Sequence, residues 1–283
     1  MKKLVLSSFL MLFISLSFAQ NSLLWKISGN SLETPSYLFG TIHVICPDDF
    51  FLPETLQPKL EHCQQVLLEI DMTDPTLMQK MQAGMMNPNM KNIKGDLSVE
   101  DLKAVDEALK QTMGVGIDQM GILKPWALST ILSIQLCLEC KQPAQYEAKI
   151  MELAKAKQLP IAGLETVEEQ LAMFDNVSYE EQLELLTETI NSIEKNKALF
   201  TKMVETYKEQ DTDKLYEFIM QQDDMEEFAE FLLDNRNIKW IPVLESHMTK
   251  QACFIAVGAG HLGGEKGLIK LLKKEGYTVE AVK

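Results

Sequence analysis

The sequence reads LFGTIH at residues 38–43 and AVGAGH at residues 256–261, and these two stretches decide the fold. In each stretch an apolar run reaches a glycine, and a histidine follows three positions later. Glycine after a strand lets the backbone turn sharply, or lets a ligand approach it closely. The pattern predicts two strands, each ending in a turn that carries a histidine.

The surroundings of the two stretches are alike: strand, Gly-x-x-His, loop, helix, strand. The strands predicted from apolar runs and flanking turn residues cover residues 23–28, 36–42, 66–70, 253–257 and 277–282. A β-α-β crossover makes neighbouring parallel strands, and ligands collect at their carboxyl ends. We therefore expect the two histidines to meet on one rim of a sheet.

The chain between the two blocks, about residues 75–250, is predicted to be nearly all helical. Ser98 and Ser178 each have an acidic residue three positions later, which is typical of a helix start. One short strand, residues 159–164, interrupts the helices. The fold class is thus α+β or α/β: a mixed sheet of N- and C-terminal β-α-β units (20–74 and 252–283), with a large helical insertion covering the strand ends. We expect a single domain over residues 20–283.

The first nineteen residues have the pattern of an export signal. Lys2 and Lys3 precede an apolar run to residue 18, and small residues occupy positions 17 and 19. The run is too short to span a membrane comfortably, and no later stretch is long and apolar enough. We expect a cleaved leader and a periplasmic or secreted protein without a membrane span; the alternative is an uncleaved anchor.

Composition limits the classes of partner. The formal net charge is −14 at pH 7, which argues against nucleic acid or an anionic membrane surface. An odd number of cysteines leaves at least one unpaired in an oxidising compartment. The C-x-x-C pair lies in an apolar helical stretch, so buried or locally paired cysteines are favoured over redox or zinc chemistry. The five are Cys46, Cys63, Cys137, Cys140 and Cys253.

Histidine and carboxylate side chains are the main candidates for chemistry. His43 and His261 share the same sequence context. Glu69 ends an apolar strand, and the alternation of strand residues places Asp71 on the same side of the strand as Glu69. Glu165 follows the strand of the helical block, where the alternative is a helix cap. Such a set suits Zn, Mn, Co or Fe, although no compact zinc motif is present. The predicted metal ligands are His43, Glu69 and His261.

Two further features are unusual. Arg236 is the only arginine of the chain, and a guanidinium makes a two-pronged contact with a carboxylate or a developing oxyanion. The alternative is an ordinary helix salt bridge to Asp234 or a nearby acid. Methionines cluster at residues 78–90; core packing or a peptide groove explains them better than copper binding.

Together these motifs resemble the TraB/PrgY/GumN family, whose animal relatives include the Tiki proteins. The resemblance rests on residues 40–43 (GTIH), 163–166 (GLET), 236–237 (RN) and 258–262 (GAGHL), in that order. It implies an α/β core related to the erythromycin-esterase/ChaN-like group, with two Gly-x-x-His motifs and a glutamate at the active centre. Tiki proteins are regarded as metal-dependent proteases, which gives His43, Glu69 and His261 polar or metal roles. Tiki proteins and some TraB-type relatives are membrane-tethered, and we expect this chain to differ from them in that respect.

The resulting expectation is an exported hydrolase that acts on peptides or proteins and depends on Mn, Co or Zn. Glu165 is the expected base or supporting partner, Arg236 stabilises the oxyanion, and His43 takes part in catalysis. Two alternatives stay open. The first is a non-catalytic protein that sequesters a peptide in a methionine-lined groove, and the second is a haem or iron carrier.

Overall fold

A six-stranded mixed sheet forms the centre of the structure, a computed structural model that describes residues 21–222 and 228–282. The expected leader, residues 1–19, lies outside the described residues. The strands are β1 Leu24–Gly29, β2 Ser36–Thr41, β3 Gln65–Ile70, β4 Ile161–Glu165, β5 Cys253–Gly258 and β6 Tyr277–Ala281. Each lies within about two residues of its predicted position, which is the usual disagreement at element ends. The expected α+β or α/β class is confirmed.

Strand order does not follow chain order. The sheet runs β4-β3-β5-β2-β1-β6; β4, β3, β5 and β2 are parallel, and β1 is antiparallel to both of its neighbours. The prediction that each β-α-β unit makes neighbouring strands is wrong. Strand β5 enters between β2 and β3, and the β1–β2 hairpin separates β5 from β6.

The interleaving has a physical reason. Strand β5 is buried along nearly its whole length, as a central strand with both faces covered must be. Its register pairs Gly40 with Val257 and Thr41 with Gly258. The two Gly-x-x-His loops consequently leave the sheet from adjacent strands on the same edge.

Alternate residues of a strand point to opposite faces of the sheet. Both faces of this sheet carry apolar side chains, and helices cover both. On one face Val66 and Leu68 belong to a core cluster with Tyr146 and Tyr207. On the other face Leu67 packs in the same cluster as Trp240. A separate helical layer around Ile93, Val105, Leu109, Leu128 and Leu186 has its own core.

The helical block contains most of the helices. The helices are α1 Leu56–His62, α2 Leu77–Met85, α3 Val99–Met113, α4 Ile117–Met120, α5 Pro125–Cys137, α6 Tyr146–Ala156, α7 Val167–Ala172, α8 Tyr179–Asn191, α9 Ile193–Lys208, α10 Thr212–Met220, α11 Asn235–Met248 and α12 Leu268–Lys274. Ser98 and Ser178 cap α3 and α8 as expected. The run predicted to continue from Ser178 to residue 208 breaks at Ser192, whose backbone leaves the helical region.

Two of the five cysteines form a long-range disulfide, and the other three are thiols. Cys46 and Cys140 form a disulfide across 94 residues, so the C-x-x-C pair is not locally closed. Cys63 and Cys253 are buried thiols and Cys137 is half-buried. The methionine segment is partly core, with Met81 and Met85 packed beside Leu77. Across residues 21–222 and 228–282, no helix has the length and apolar character needed to cross a membrane.

Candidate functional site

Polar side chains collect where the four parallel strands end. Glu69 is the penultimate residue of β3, Glu165 is the last residue of β4, and His43 and His261 follow β2 and β5. The two imidazoles meet at one carboxylate: the Nε2 atoms of His43 and His261 lie 3.9 and 3.8 Å from Oε1 of Glu69. The structure thus brings the two histidine loops to one site. Arg236, from the first turn of α11, completes it.

Arg236 holds the cluster together. Its guanidinium is buried, and Nη2 donates to Oε2 of Glu69 and Oε1 of Glu165, both at 2.6 Å. Nη1 donates to Nε2 of His261 at 3.0 Å and to the carbonyl of Leu232 at 2.9 Å. The alternative of an ion pair with Asp234 is not seen, since that carboxylate contacts Lys266 at 3.0 Å. One cation therefore neutralises two buried acids.

An irregular helical turn presents Arg236 to the site. Residues Glu230–Asp234 form a π-helical turn that leads directly into α11, and the carbonyl of Leu232 in this turn accepts from Nη1. A π turn inserts an extra residue and shifts the register of the helix after it; such turns are frequent at functional sites. Trp240, one turn further on, lies under the guanidinium, with 4.6 Å between Cζ and the ring centroid. Neither feature can be read from the helical periodicity of the sequence.

Glu69 is a buried, ionised carboxylate. Oε1 accepts from the backbone N–H of Gly258 at 2.7 Å, and Oε2 accepts from Gln170 at 3.2 Å besides Arg236. Burial opposes its charge, but the two imidazoles, Arg236 and the Gly258 N–H outweigh burial and lower the pKa of Glu69 to about 2, since both imidazoles are protonated at the acid pH where Glu69 titrates. The group is negative at any physiological pH.

His261 is a buried, neutral imidazole. Its Nδ1–H donates to Oδ1 of Asn237 at 2.7 Å, which leaves Nε2 free to accept from Arg236. Burial lowers the pKa of His261 from 6.5 to about 3 although the charge of Glu69 opposes that shift. The pair of bonds fixes both the tautomer and the ring orientation.

His43 is the open counterpart of His261. Its side chain is 62% exposed, and Nδ1–H donates to Oε1 of Glu147 at 2.9 Å. Partial desolvation opposes a positive charge, but the hydrogen bond to Glu147 and the charges of Glu69 and Glu147 raise the pKa of His43 to about 9. Thr41 also donates to Glu147, at 2.7 Å. His43 is therefore a cation at neutral pH, with its Nε2 atom 3.9 Å from Oε1 of Glu69.

Glu165 and Asp71 have more limited roles in this geometry. The oxygens of Glu165 accept from Arg236, from Gln170 at 3.2 Å and from Trp240 at 3.2 Å. Glu165 thus orients the guanidinium. Asp71 accepts from the backbone and hydroxyl of Thr73 and closes a local turn.

The predicted metal ligands converge above Gly258. A Cβ atom at this glycine would lie 3.3 Å from Oε1 of Glu69, 3.5 Å from Nε2 of His43 and 3.6 Å from Cδ2 of His261. The convergence does not make an ion site, because the Nε2 lone pair of His261 already accepts from Arg236. In the part of the chain that the structure describes, no three histidine, cysteine or acidic side chains are arranged to hold a metal. As arranged, the three residues do not fit one ion bound by all of them.

An apolar cavity of about 330 Å³ opens beside the cluster. His43, Arg236 and His261 form its polar end. Apolar side chains from the loop after β2, from α9 and α10 and from the π-helical turn form the rest, among them Ile42, Phe200, Met203, Leu215, Ile219 and Leu233. The methionines of segment 78–90 do not line it. The arrangement combines a charged centre with an adjoining pocket for an apolar group.

The sequence profile of the TraB/PrgY/gumN family matches residues 23–281. The chain belongs to the TraB/PrgY/gumN family. Two curated relatives from Danio rerio, named Metalloprotease TIKI2 and Metalloprotease TIKI1, are 24% and 22% identical over 92% of the chain. A shorter match, 35% identical over 27% of the chain, is to Metalloprotease TIKI1 of Xenopus tropicalis, of which it covers 15%.

The chain spans about three fifths of the length of the two Danio rerio relatives, 61% and 63%. No solved structure matches the chain significantly. The resemblance inferred from four short motifs is confirmed. All four motifs contribute residues to the polar cluster: His43, Glu165, Arg236 with Asn237, and His261.

Glu147 and Gln170 are the site residues that the sequence did not indicate. Both lie in short helices outside the strand ends: Glu147 in the first turn of α6 and Gln170 in α7. An acid at a helix start is common because it complements the helix dipole, so Glu147 carries no distinguishing signal. Only the three-dimensional contacts reveal their part.

Proposed function

We propose that this protein is an exported peptide hydrolase whose reaction centre is the cluster of His43, Glu69, Arg236 and His261. The observation that carries the proposal is that both Gly-x-x-His loops converge on one carboxylate, that of Glu69, and that both histidines line the polar end of an apolar cavity. The names of the relatives point to the same chemistry. Export rests on the leader-like residues 1–19.

Hydrolysis of a peptide bond needs an activated water, stabilisation of the oxyanion and protonation of the leaving amine. In our proposal a water above Gly258 gives its proton to Oε1 of Glu69 and attacks the carbonyl carbon. A bound peptide excludes solvent, which raises the pKa of Glu69 towards that of an effective base. The charges of Arg236 and His43 stabilise the oxyanion.

His43 then acts as the acid. Its Nε2–H protonates the nitrogen of the leaving amine as the carbon–nitrogen bond breaks. The proton taken by Glu69 afterwards returns to His43, whose Nε2 lies 3.9 Å from Oε1, and this restores the starting state. Glu165, Glu147 and Asn237 are positioning residues: Glu165 holds Arg236, Glu147 holds His43, and Asn237 fixes the ring of His261. His261 in turn holds the guanidinium of Arg236 through Nε2.

The names of the relatives also suggest a divalent metal. An ion bound by His43, Glu69 and His261 would require Arg236 to release His261, so we assign no step to one. Dependence on Mn, Co or Zn remains a proposal that the activity assay decides. Protein treated with a chelator is compared with protein to which each ion is returned.

The assay is digestion of a defined peptide mixture by the purified protein, read by mass spectrometry. We expect cleavage by the natural chain and loss of it in His43→Ala. The matched control is His62→Ala, a change at another exposed histidine, on α1, which should leave the rate unchanged. Equal cleavage by natural protein and His43→Ala would remove the proposal.

The cavity also favours a second candidate, a peptide-binding protein without catalysis. It predicts saturable binding of an apolar peptide that survives His43→Ala, with no cleavage under any metal condition. Calorimetric titration of the same peptides distinguishes the two.

A further inference from the structure

We propose that the apolar cavity is a specificity subsite that takes one large aliphatic or aromatic side chain next to the scissile bond. The inference rests on the proposed peptide hydrolysis and names its class of substrate. Its basis is the position of the cavity, the chemistry of its walls and one glycine, Gly260, that lines it.

The position ties the cavity to the reacting groups. His43, Arg236 and His261 line its polar end, so a side chain inside it places the adjoining backbone at the charged cluster. Its volume of about 330 Å³ is at the lower end of the roughly 300–1000 Å³ typical of small-molecule sites. A cavity of this size suits one side chain with its backbone.

The walls select an apolar occupant. Phe200, Met203 and Ile219 are half-buried, so they keep contact with water that an apolar ligand would displace, which favours binding. Tyr207 presents its ring, since its hydroxyl donates to the carbonyl of Gly40 at 3.0 Å.

Charged occupants are disfavoured for different reasons. No acidic side chain occurs among the described residues that line the cavity. The cations His43 and Arg236 at the polar end of the cavity repel a lysine or arginine side chain. An acidic side chain is attracted to these cations but loses its hydration among apolar groups, which is costly without a buried partner. A leucine or phenylalanine meets neither penalty.

Gly260 supports this assignment. A Cβ atom at residue 260 would lie 3.1 Å from Cδ1 of Ile219 and 3.7 Å from Cδ2 of Leu233, both lining residues. A Cβ atom at Gly258 would instead point to the charged cluster. The two glycines of the AVGAGH stretch therefore keep different halves of the site open. A larger residue at 260 should narrow the cavity and leave Glu69, His43 and Arg236 untouched.

The test measures kcat/KM on one cleavable peptide whose residues beside the scissile bond are replaced in turn by Gly, Leu, Phe, Asp or Lys. We expect at least one position where Leu or Phe exceeds Gly by roughly tenfold or more, the scale of apolar pocket selectivity. Gly260→Val should lower that preference, measured as the ratio of kcat/KM for the Leu or Phe peptide to kcat/KM for the Gly peptide, by roughly tenfold. Val99→Ala, at an exposed residue on α3, is the control and should change neither value.

The outcomes separate the two proposals. Cleavage at equal rates whatever residue is substituted would overturn the subsite and leave peptide hydrolysis standing. If no peptide is cleaved, the proposed function fails, and calorimetric titration of the same series still decides the subsite. Tighter binding of the Leu and Phe peptides than of the Gly peptide, weakened in Gly260→Val, supports it; equal binding overturns it.

Discussion

At the scale of single residues, Arg236 determines the electrostatics of the site. One guanidinium serves Glu69, Glu165 and His261 at once, through nitrogens fixed in a plane. A lysine ammonium is a compact point charge and cannot reproduce this set of contacts. Without a cation, two buried carboxylates would face each other, and burial would favour their protonated forms.

The first prediction concerns this cation. Arg236→Met should lower the free energy of unfolding by about 3–5 kcal/mol at pH 7, because it leaves two buried acids uncompensated. The control is Lys103→Met, which removes an exposed pair with Glu107 and should cost under about 1 kcal/mol. With the guanidinium gone, Nε2 of His261 and Oε2 of Glu69 lose their cationic partner and can bind an ion, so Mn or Zn should restore part of the loss. Urea unfolding with and without the ion measures both effects; a loss below about 1 kcal/mol would contradict the role given to Arg236.

Most residues of the cluster could be predicted from the sequence, because each carries a signal in its immediate sequence context or in the composition. His43 and His261 repeat one motif, Glu69 and Glu165 end strands, and Arg236 is unique in composition. The role of each residue could not be predicted, because it depends on hydrogen-bond partners that lie far away in the chain. Glu165 reads as a possible base in isolation, whereas in the fold its oxygens are bonded to Arg236, Gln170 and Trp240.

At the scale of elements, the disulfide links the two segments that position His43. Cys46 lies three residues after His43, and Cys140 lies shortly before α6, whose first turn carries Glu147. Ile45 and Ala144 exchange backbone hydrogen bonds of 3.1 and 2.8 Å beside the disulfide. The covalent link therefore maintains the His43–Glu147 pair across the whole helical layer between them.

The second prediction concerns this link. Replacing Cys46 and Cys140 by serine should lower the free energy of unfolding by about 2–4 kcal/mol, since the unfolded chain gains freedom. The pKa of His43 should also fall from about 9 towards 6.5 as Glu147 loosens. Denaturant unfolding and an NMR titration of His43 measure the two effects. Cys137→Ser, at the half-buried cysteine outside the disulfide, serves as control. An unchanged His43 titration would show that the loop keeps its position without the disulfide.

At the scale of the whole molecule, the sequence predicted which elements exist but not their order in the sheet. Apolar runs and turn residues are local signals, and each predicted strand is present. Placement of β5 between β2 and β3 depends on pairing across about two hundred residues, which no local pattern records. This placement of β5 beside β2 brings the two histidine loops onto neighbouring strands, as the predicted site requires.

The third prediction concerns the pH dependence of stability. The folded pKa values of Glu69 (about 2) and His261 (about 3) lie below their ordinary values of 4.5 and 6.5. Their contribution to the free energy of unfolding is complete above pH 6.5. It is lost as the pH falls through 3 towards 2, because the unfolded chain binds protons that the folded chain does not. His43 acts oppositely: its contribution is complete below pH 6.5 and lost as the pH rises through 9, and its exposure makes it smaller.

Urea midpoints should therefore be highest near neutral pH and fall more steeply on the acid side. His261→Gln should flatten the curve between about pH 6 and 4, where other carboxylates still contribute. A mutant curve parallel to that of the natural protein over this range would count against a buried, neutral His261.

The most direct test of the central claim is a double-mutant cycle on kcat/KM for a cleaved peptide, using His43→Ala, His261→Gln and their combination. If both histidine loops act on the same bond, each single change should lower kcat/KM by roughly a hundredfold or more, and the double mutant should be no slower than the worse single mutant. Losses that multiply, or a single change without effect, would contradict one shared reaction centre.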